Sequence, residues 1–150
     1  MFESQEYDAE MIESAKAAIE QVGITALSDK PLCEMSTGEL RKTLIARALA
    51  LRPEALLLDE PTVGLDIGAQ IEFLDTVGGL SKDKTVIIIT HHIEEIIPQI
   101  KKVLLLKDGT VFRYGTKQEV LTGENLSEAF GVSIEVGLDG DRYHIKRICG

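Results

Sequence analysis

Two short apolar runs, residues 55–58 and 86–89, most limit the folds open to this chain. Each is apolar throughout rather than alternating, the pattern of a strand buried on both faces of a parallel sheet. Between them Asp66 can cap a helix over 67–77, which Gly78 and Gly79 close, and residues 93–97 make a short helix cut at Pro98. Strand, helix, strand, helix in this order predicts an α/β fold with a parallel sheet.

The flanks read with equal economy. Asp8 caps a helix over 9–22, with Ile12, Ala15, Ile19 and Val22 at helical spacing and Gly23 as its stop. A connector over 24–35 contains Pro31. Ser36 and Glu39 form the S-x-x-E capping box of a second helix reaching about residue 50, with Leu40, Leu44, Ala48 and Leu51 as its apolar face, ended by Arg52-Pro53. Downstream, residues 103–106 and 111–114 predict a hairpin with a type I′ turn at Asp108-Gly109. Thr116 and Glu119 are another capping box, for a helix over 117–121, and 124–130 suggest a further turn or two. Val132, Ile134 and Val136, then Asp139-Gly140, then Tyr143 and Ile145 predict a second hairpin. No internal repeat or long linker interrupts the chain, which is read as one domain.

Charge and composition exclude several functions. A net charge of −9 over 150 residues leaves no basic footprint for nucleic acid. Cys33 and Cys149 are isolated, neither a disulfide framework nor a zinc motif, which points to a reducing compartment. No apolar run reaches the roughly 18 residues that a membrane span needs. Residues 1–6 are acidic, with no apolar leader core. Any membrane association is therefore expected to run through a partner.

Three segments carry chemistry. Asp59 and Glu60 stand at the carboxyl end of the first strand, where open α/β sheets bind ligands. Asp59 suits a Mg²⁺ ion held through water, and Glu60 suits a general base that polarises an attacking water. The two side chains diverge along a strand and so can take different tasks. The plainer alternative is a strand that merely ends at the surface. Ser36-Thr37-Gly38-Glu39 opens a helix, where backbone N–H groups and the helix dipole favour an anion. There the Ser36 hydroxyl and the close approach allowed by Gly38 suit a γ-phosphate, although a plain capping box explains the same residues. His91 follows Thr90 at the end of the second strand, where an imidazole can hydrogen-bond phosphate and fix water. His92 competes with it, less well placed beyond the strand's end. Asp66 has the plain role of N-cap. No glycine in the chain is followed by lysine, so there is no G-x-x-x-x-G-K-[ST] loop to cradle phosphates.

Taken in order, these segments resemble the ATP-binding cassette (ABC) ATPase family over about residues 8–115. Residues 35–39 resemble its signature, usually L-S-G-G-Q. Residues 55–60 resemble Walker B, 61–66 the D-loop, and Thr90-His91 the switch-histidine loop. The tail to 150 resembles extensions of importer-type cassettes. Thr37 departs from the signature's glycine and adds bulk, and Glu39 replaces its glutamine.

The resemblance implies a partial RecA-like P-loop NTPase core whose parallel sheet lacks the Walker A strand, with a remnant helical subdomain and C-terminal β-hairpins. The divisions would be 1–52, 53–115 and 116–150, a single truncated domain. It implies ATP and Mg²⁺ as ligands, with Glu60 and His91 catalytic, Asp59 on the metal, and Ser36, Thr37, Gly38, Glu39 and Asp66 on nucleotide. Partners would be a second cassette in a head-to-tail dimer and a membrane transporter subunit, with no nucleic acid. The location would be cytoplasmic, at the inner face of the membrane. A soluble, non-transport cassette and a non-catalytic module docking on a cassette are the alternatives. The adenine-stacking residue, Walker A and the Q-loop are expected upstream of Met1, so the isolated chain is expected to bind ATP poorly.

Overall fold

The computed structural model describes residues 7–149; the acidic stretch at 1–6 lies outside them. The chain divides into two compact units, Met1–Ile89 and Thr90–Gly150. Their elements are mixed α and β.

The first unit begins with α1 (Ala9–Gln21), capped by Asp8, whose carboxylate accepts from Met11 N at 2.7 Å. Two 3-10 turns, Thr25–Leu27 and Leu32–Glu34, fill the connector. Then follow α2 (Thr37–Leu49), β1 (Ala55–Asp59), α3 (Ile67–Leu80) and β2 (Thr85–Ile89). β1 and β2 are parallel, in register from Ala55–Thr85 to Asp59–Ile89, and each has only the other as partner among the described residues. The α/β reading with a small parallel sheet holds.

Several details of this unit depart from the sequence expectations, among them the α1 stripe, where Ile12 is exposed and Ala18 is buried. The apolar face of α2 is not 40/44/48/51. Its buried residues are Lys42, Ile45, Ala46 and Leu49, while Leu44 is 47% exposed and Leu51, past the helix end, 81%. α2 packs on both α1 and α3, and the stripe containing the small Ala46 meets that demand. Lys42 joins it by burying its stem while its ammonium pairs with Glu72 of α3.

Helix α3 runs through Gly78 and Gly79 to Leu80. An interior glycine costs about 1 kcal/mol relative to alanine. Full burial of Val77 and Leu80 stabilises by about 1.5–3 kcal/mol each, which outweighs that cost.

Nor are the strands buried on both faces. Leu57, Ile87 and Ile89 share one face by the two-residue period and are 64%, 50% and 49% exposed. Leu56, on the opposite face, is buried. A sheet of two strands ends at two open edges, and little of the described chain covers this apolar face.

In the second unit, a single 3-10 turn, Ile93–Glu95, replaces the expected helix over 93–97. Pro98 supplies no N–H and disfavours a helical Ile97, so the turn cannot propagate. β3 (Lys102–Lys107) and β4 (Thr110–Thr116) form an antiparallel hairpin with a bulge at Leu105/Leu106. Asp108 and Gly109 have φ of 51° and 73°, the left-handed pair that a type I′ turn requires. α4 (Lys117–Val120) opens on the Thr116–Glu119 capping box, whose hydrogen bonds hold the Glu119 carboxyl below its ordinary pKa. α5 (Gly123–Phe130) precedes the hairpin β5 (Ser133–Asp139) and β6 (Arg142–Cys149). Asp139 pairs with Arg142, so that turn is Gly140-Asp141, one residue later than the sequence suggests.

The core of this unit gathers Ile93, Leu121, Leu126, Ile134 and Tyr143, with Val103, Leu105 and Val136 against it. Buried Lys117 donates to the carbonyl of Pro98 at 2.9 Å, fixing the 93–98 segment on α4. A Cβ on Gly123 would lie 2.7 Å from the backbone oxygen of Ile134. Backbone has to move to admit it, so Gly123→Ala is expected to destabilise the fold by about 1–3 kcal/mol, read as a lower urea midpoint. An unchanged midpoint would contradict this packing.

Candidate functional site

The first turn of α2 is tightly specified. Ser36 Oγ accepts from Glu39 N at 3.2 Å, and Glu39 Oε2 accepts from Ser36 N at 2.7 Å, the reciprocal pair of a capping box. Lys30 Nζ donates to the same Glu39 Oε2 at 2.7 Å. The Lys30 ammonium, and then the Ser36 N–H, hold the Glu39 carboxyl below its ordinary value of 4.5. With the folded-state pKa depressed, the stability this contributes is present above the unfolded value and is lost as pH falls through the folded one. Ser36 and Thr37 are exposed, and Gly38 and Glu39 half-buried.

Gly38 has a packing role that its sequence context does not reveal. A Cβ there would come within 3.3 Å of Ala69 Cβ, in the first turn of α3. Asp66 caps that turn, accepting from Ala69 N at 2.9 Å. Arg41, one turn into α2, donates from Nη2 to the carbonyl of Val63 at 3.3 Å. The structure thus brings residues 36–41 beside 63–69, placing two capped helix N-termini together. Arg41, Ala69 and Lys30 are the members that sequence reasoning missed. Nothing in their spacing announces them, since each acts across a connection between elements.

Asp59 is the last residue of β1 and is exposed. Glu60, half-buried, lies just outside the strand with φ 45°, a left-handed conformation that costs a non-glycine residue about 1–2 kcal/mol. Its N–H donates to the carbonyl of Ile89 at 2.8 Å and its carbonyl accepts from Val63 N at 3.3 Å, so both sides of the strained residue are tied. The two carboxylates are therefore separated by a change of backbone conformation rather than by strand alternation. A groove of about 260 Å³ in this unit is lined by Arg41 and Leu44 of α2, Leu57 and Asp59 of β1, and Phe73 of α3.

His91 and His92 open the second unit. Their rings lie 4.0 Å apart at 40°, both residues are exposed, and His92 N donates to Thr90 Oγ1 at 2.9 Å.

The donors present fit part of a magnesium–nucleotide site. An exposed carboxylate is the hard oxygen ligand that Mg²⁺ takes, and Asp59 offers one. Ser36 offers an exposed hydroxyl at the start of α2. The chain contains no glycine-rich lysine loop for the remaining phosphates.

The family model for ABC transporters matches residues 2–63. An uncharacterized ABC transporter ATP-binding protein, YlmA of Bacillus subtilis, is 40% identical over 138 residues, covering 90% of this chain and 52% of that protein. The energy-coupling factor transporter ATP-binding protein EcfA2 of Bacillus cereus is 38% identical, covering 84% of this chain and 44% of that protein. The chain thus spans about half the length of the curated relatives it matches. Among solved structures, an inward-facing conformation of a putative metal-chelate type ABC transporter superposes with TM-score 0.83 at 25% identity, over 100% of this chain and 61% of that one. CbiO1 of Clostridium perfringens, part of the transporter complex cbiONQ, superposes with TM-score 0.69 at 30% identity, over 83% of this chain and 51% of that one.

Proposed function

Because the chain belongs to the ATP-binding cassette ATPase family, whose members hydrolyse ATP, we propose that it carries the water-activating and γ-phosphate-facing part of a cassette that powers an importer-type membrane transporter. The observation that carries this reading is the pair Asp59 and Glu60 at the carboxyl end of a parallel strand, with Glu60 held in a strained, doubly tied conformation. Strain of this kind persists where surrounding structure fixes it and collects at functional sites. A transporter role is supported by one relative described as an energy-coupling factor transporter ATP-binding protein and one solved structure described as a putative metal-chelate type ABC transporter; importer type follows the resemblance of the tail. We read residues 1–52, 53–115 and 116–150 as divisions of one cassette domain, a reading that the border of the two compact units at Ile89/Thr90 does not follow.

In this reading Glu60 takes a proton from water as the water oxygen attacks the γ-phosphorus and the bond to the bridging oxygen of ADP breaks. His91 donates a hydrogen bond to the γ-phosphate. Asp59 would hold Mg²⁺, which would offset charge on the phosphate oxygens when bound. Ser36, Thr37, Gly38 and Glu39 face the γ-phosphate on a second cassette, arranged head to tail, and Asp66 fixes the adjoining turn. A membrane subunit at the cytoplasmic face receives the motion of dimer closure. Among the described residues no helix is long and apolar enough to cross a membrane.

Mg-ATP carries net negative charge, and Asp59 and Glu60 meet it here without a loop lysine. A like-charge pair at 4 Å costs about 4 kcal/mol at an effective dielectric near 20. Calorimetry on residues 1–150 alone is therefore expected to show negligible ATP affinity; a micromolar constant would contradict this. A second reading is a non-catalytic module that docks on a cassette through α2 and residues 61–66, where Arg41 and Gly38 already meet Val63 and Ala69. Mixing the chain with a cassette fragment that carries G-x-x-x-x-G-K-[ST] separates the two. Turnover in the mixture supports the enzyme, and association without turnover supports the module.

A further inference from the structure

We propose that Lys30 is a positioning residue for the phosphate-facing turn of α2: it pins the Glu39 carboxylate into the capping box and cancels its charge, so that Ser36 can meet an anion. The proposal rests on the reading that this turn faces a γ-phosphate.

Glu39 is an awkward residue at such a turn. Ionised, it places a full negative charge within hydrogen-bond distance of Ser36 N, where a phosphate has to approach. One oxygen, Oε2, takes both the Ser36 N–H and the Lys30 ammonium, each at 2.7 Å. The shared oxygen means that the cation and the cap are one device, since losing Lys30 loosens the same atom that fixes Ser36.

Lys30 is itself held in place. Its N–H donates to the carbonyl of Leu27 at 2.9 Å, closing a turn over 27–30 that follows the 3-10 turn Thr25–Leu27, and Pro31 after it restricts the chain. The pair is also partly shielded. Its side chains are 32% and 29% exposed, against 68% and 72% for the surface pair Lys16–Glu13. Solvent and salt therefore screen it less than an ordinary surface pair. A glutamine at 39 could make the same bond to Ser36 N without charge; with glutamate there, a cation is required. Ser36 Oγ accepts from Glu39 N, and the Ser36 side chain also bonds the Glu39 carboxyl, a further contact that holds this carboxyl low.

The test compares wild type, Lys30→Met, Lys30→Arg and the double variant Lys30→Met/Glu39→Gln. In the mixture with a loop-bearing cassette fragment, Lys30→Met is expected to raise KM for Mg-ATP at least tenfold with kcat changed less than threefold. Lys30→Arg and the double variant recover most of the loss. A merely structural Lys30 would lose kcat and KM together and would not be rescued by Glu39→Gln. In the chain alone, NMR is expected to show the Glu39 carboxyl titrating at higher pH in Lys30→Met, and Ser36 N–H exchange at least tenfold faster. An unchanged KM, or a double variant as poor as Lys30→Met, overturns the proposal. If wild type gives no turnover in the mixture, the functional reading fails and NMR alone decides: unchanged Glu39 titration and Ser36 exchange would refute the role of Lys30.

Discussion

Glu60→Gln is expected to lower ATP turnover in the reconstituted mixture by roughly 10²–10⁴-fold, the range that a general base contributes. The substitution keeps size and one acceptor oxygen but removes the group that takes the proton. The backbone ties of Glu60 to Ile89 and Val63 do not depend on the side chain, so folding should be preserved and KM should stay within about threefold, the pattern of an interaction made chiefly in the transition state. Steady-state kinetics check this directly. Loss of less than tenfold would remove Glu60 from the role of base. Glu60→Gly separates the backbone from the chemistry, because glycine adopts φ 45° without penalty. Its turnover should fall at least as far as that of Glu60→Gln.

Phe73→Ala carries the largest expected cost to stability, about 3–5 kcal/mol. Phe73 is 2% exposed, on α3, and lines the groove with Leu56 of β1 and Ile45 of α2. The ring shares this groove with the strand that ends in Asp59 and the helix that begins at the Ser36 turn. Urea unfolding should show the loss as a lower midpoint. A cost below about 1 kcal/mol would mean that the groove collapses around the missing ring.

The element order was legible because its signals are local. Asp8, Ser36, Asp66, Thr116 and Thr122 each cap a helix by a side-chain bond three residues ahead, and the first four stand out in sequence. Asp108-Gly109 marks its turn for the same reason. What failed is what depends on neighbours. Residues 40/44/48/51 and 42/45/46/49 are both helical stripes, and only the helices on either side of α2 decide which is buried. The apolar runs at 55–58 and 86–89 were correct as strands, yet Leu57, Ile87 and Ile89 remain exposed because burial is a property of the elements that cover a sheet. Gly78 and Gly79 stop a helix only when no packing beyond them repays their entropy.

At the candidate site, the placement of the adjacent acids at the end of an apolar strand and of Ser36 with Glu39 at a helix start was readable. The supporting contacts were not. Lys30 reaches Glu39 across the connector, Arg41 reaches the backbone of Val63, and Gly38 makes room for Ala69. None of these pairings leaves a pattern in one sequence, since each fixes the relation between elements.

The division of labour between this chain and a phosphate-holding loop is tested most directly by the rate of ATP hydrolysis for residues 1–150 with and without a cassette fragment bearing G-x-x-x-x-G-K-[ST]. Turnover is predicted in the mixture alone, and its loss when the chain carries Glu60→Gln. Hydrolysis by the chain without the fragment, or undiminished turnover with Glu60→Gln in the mixture, would contradict it.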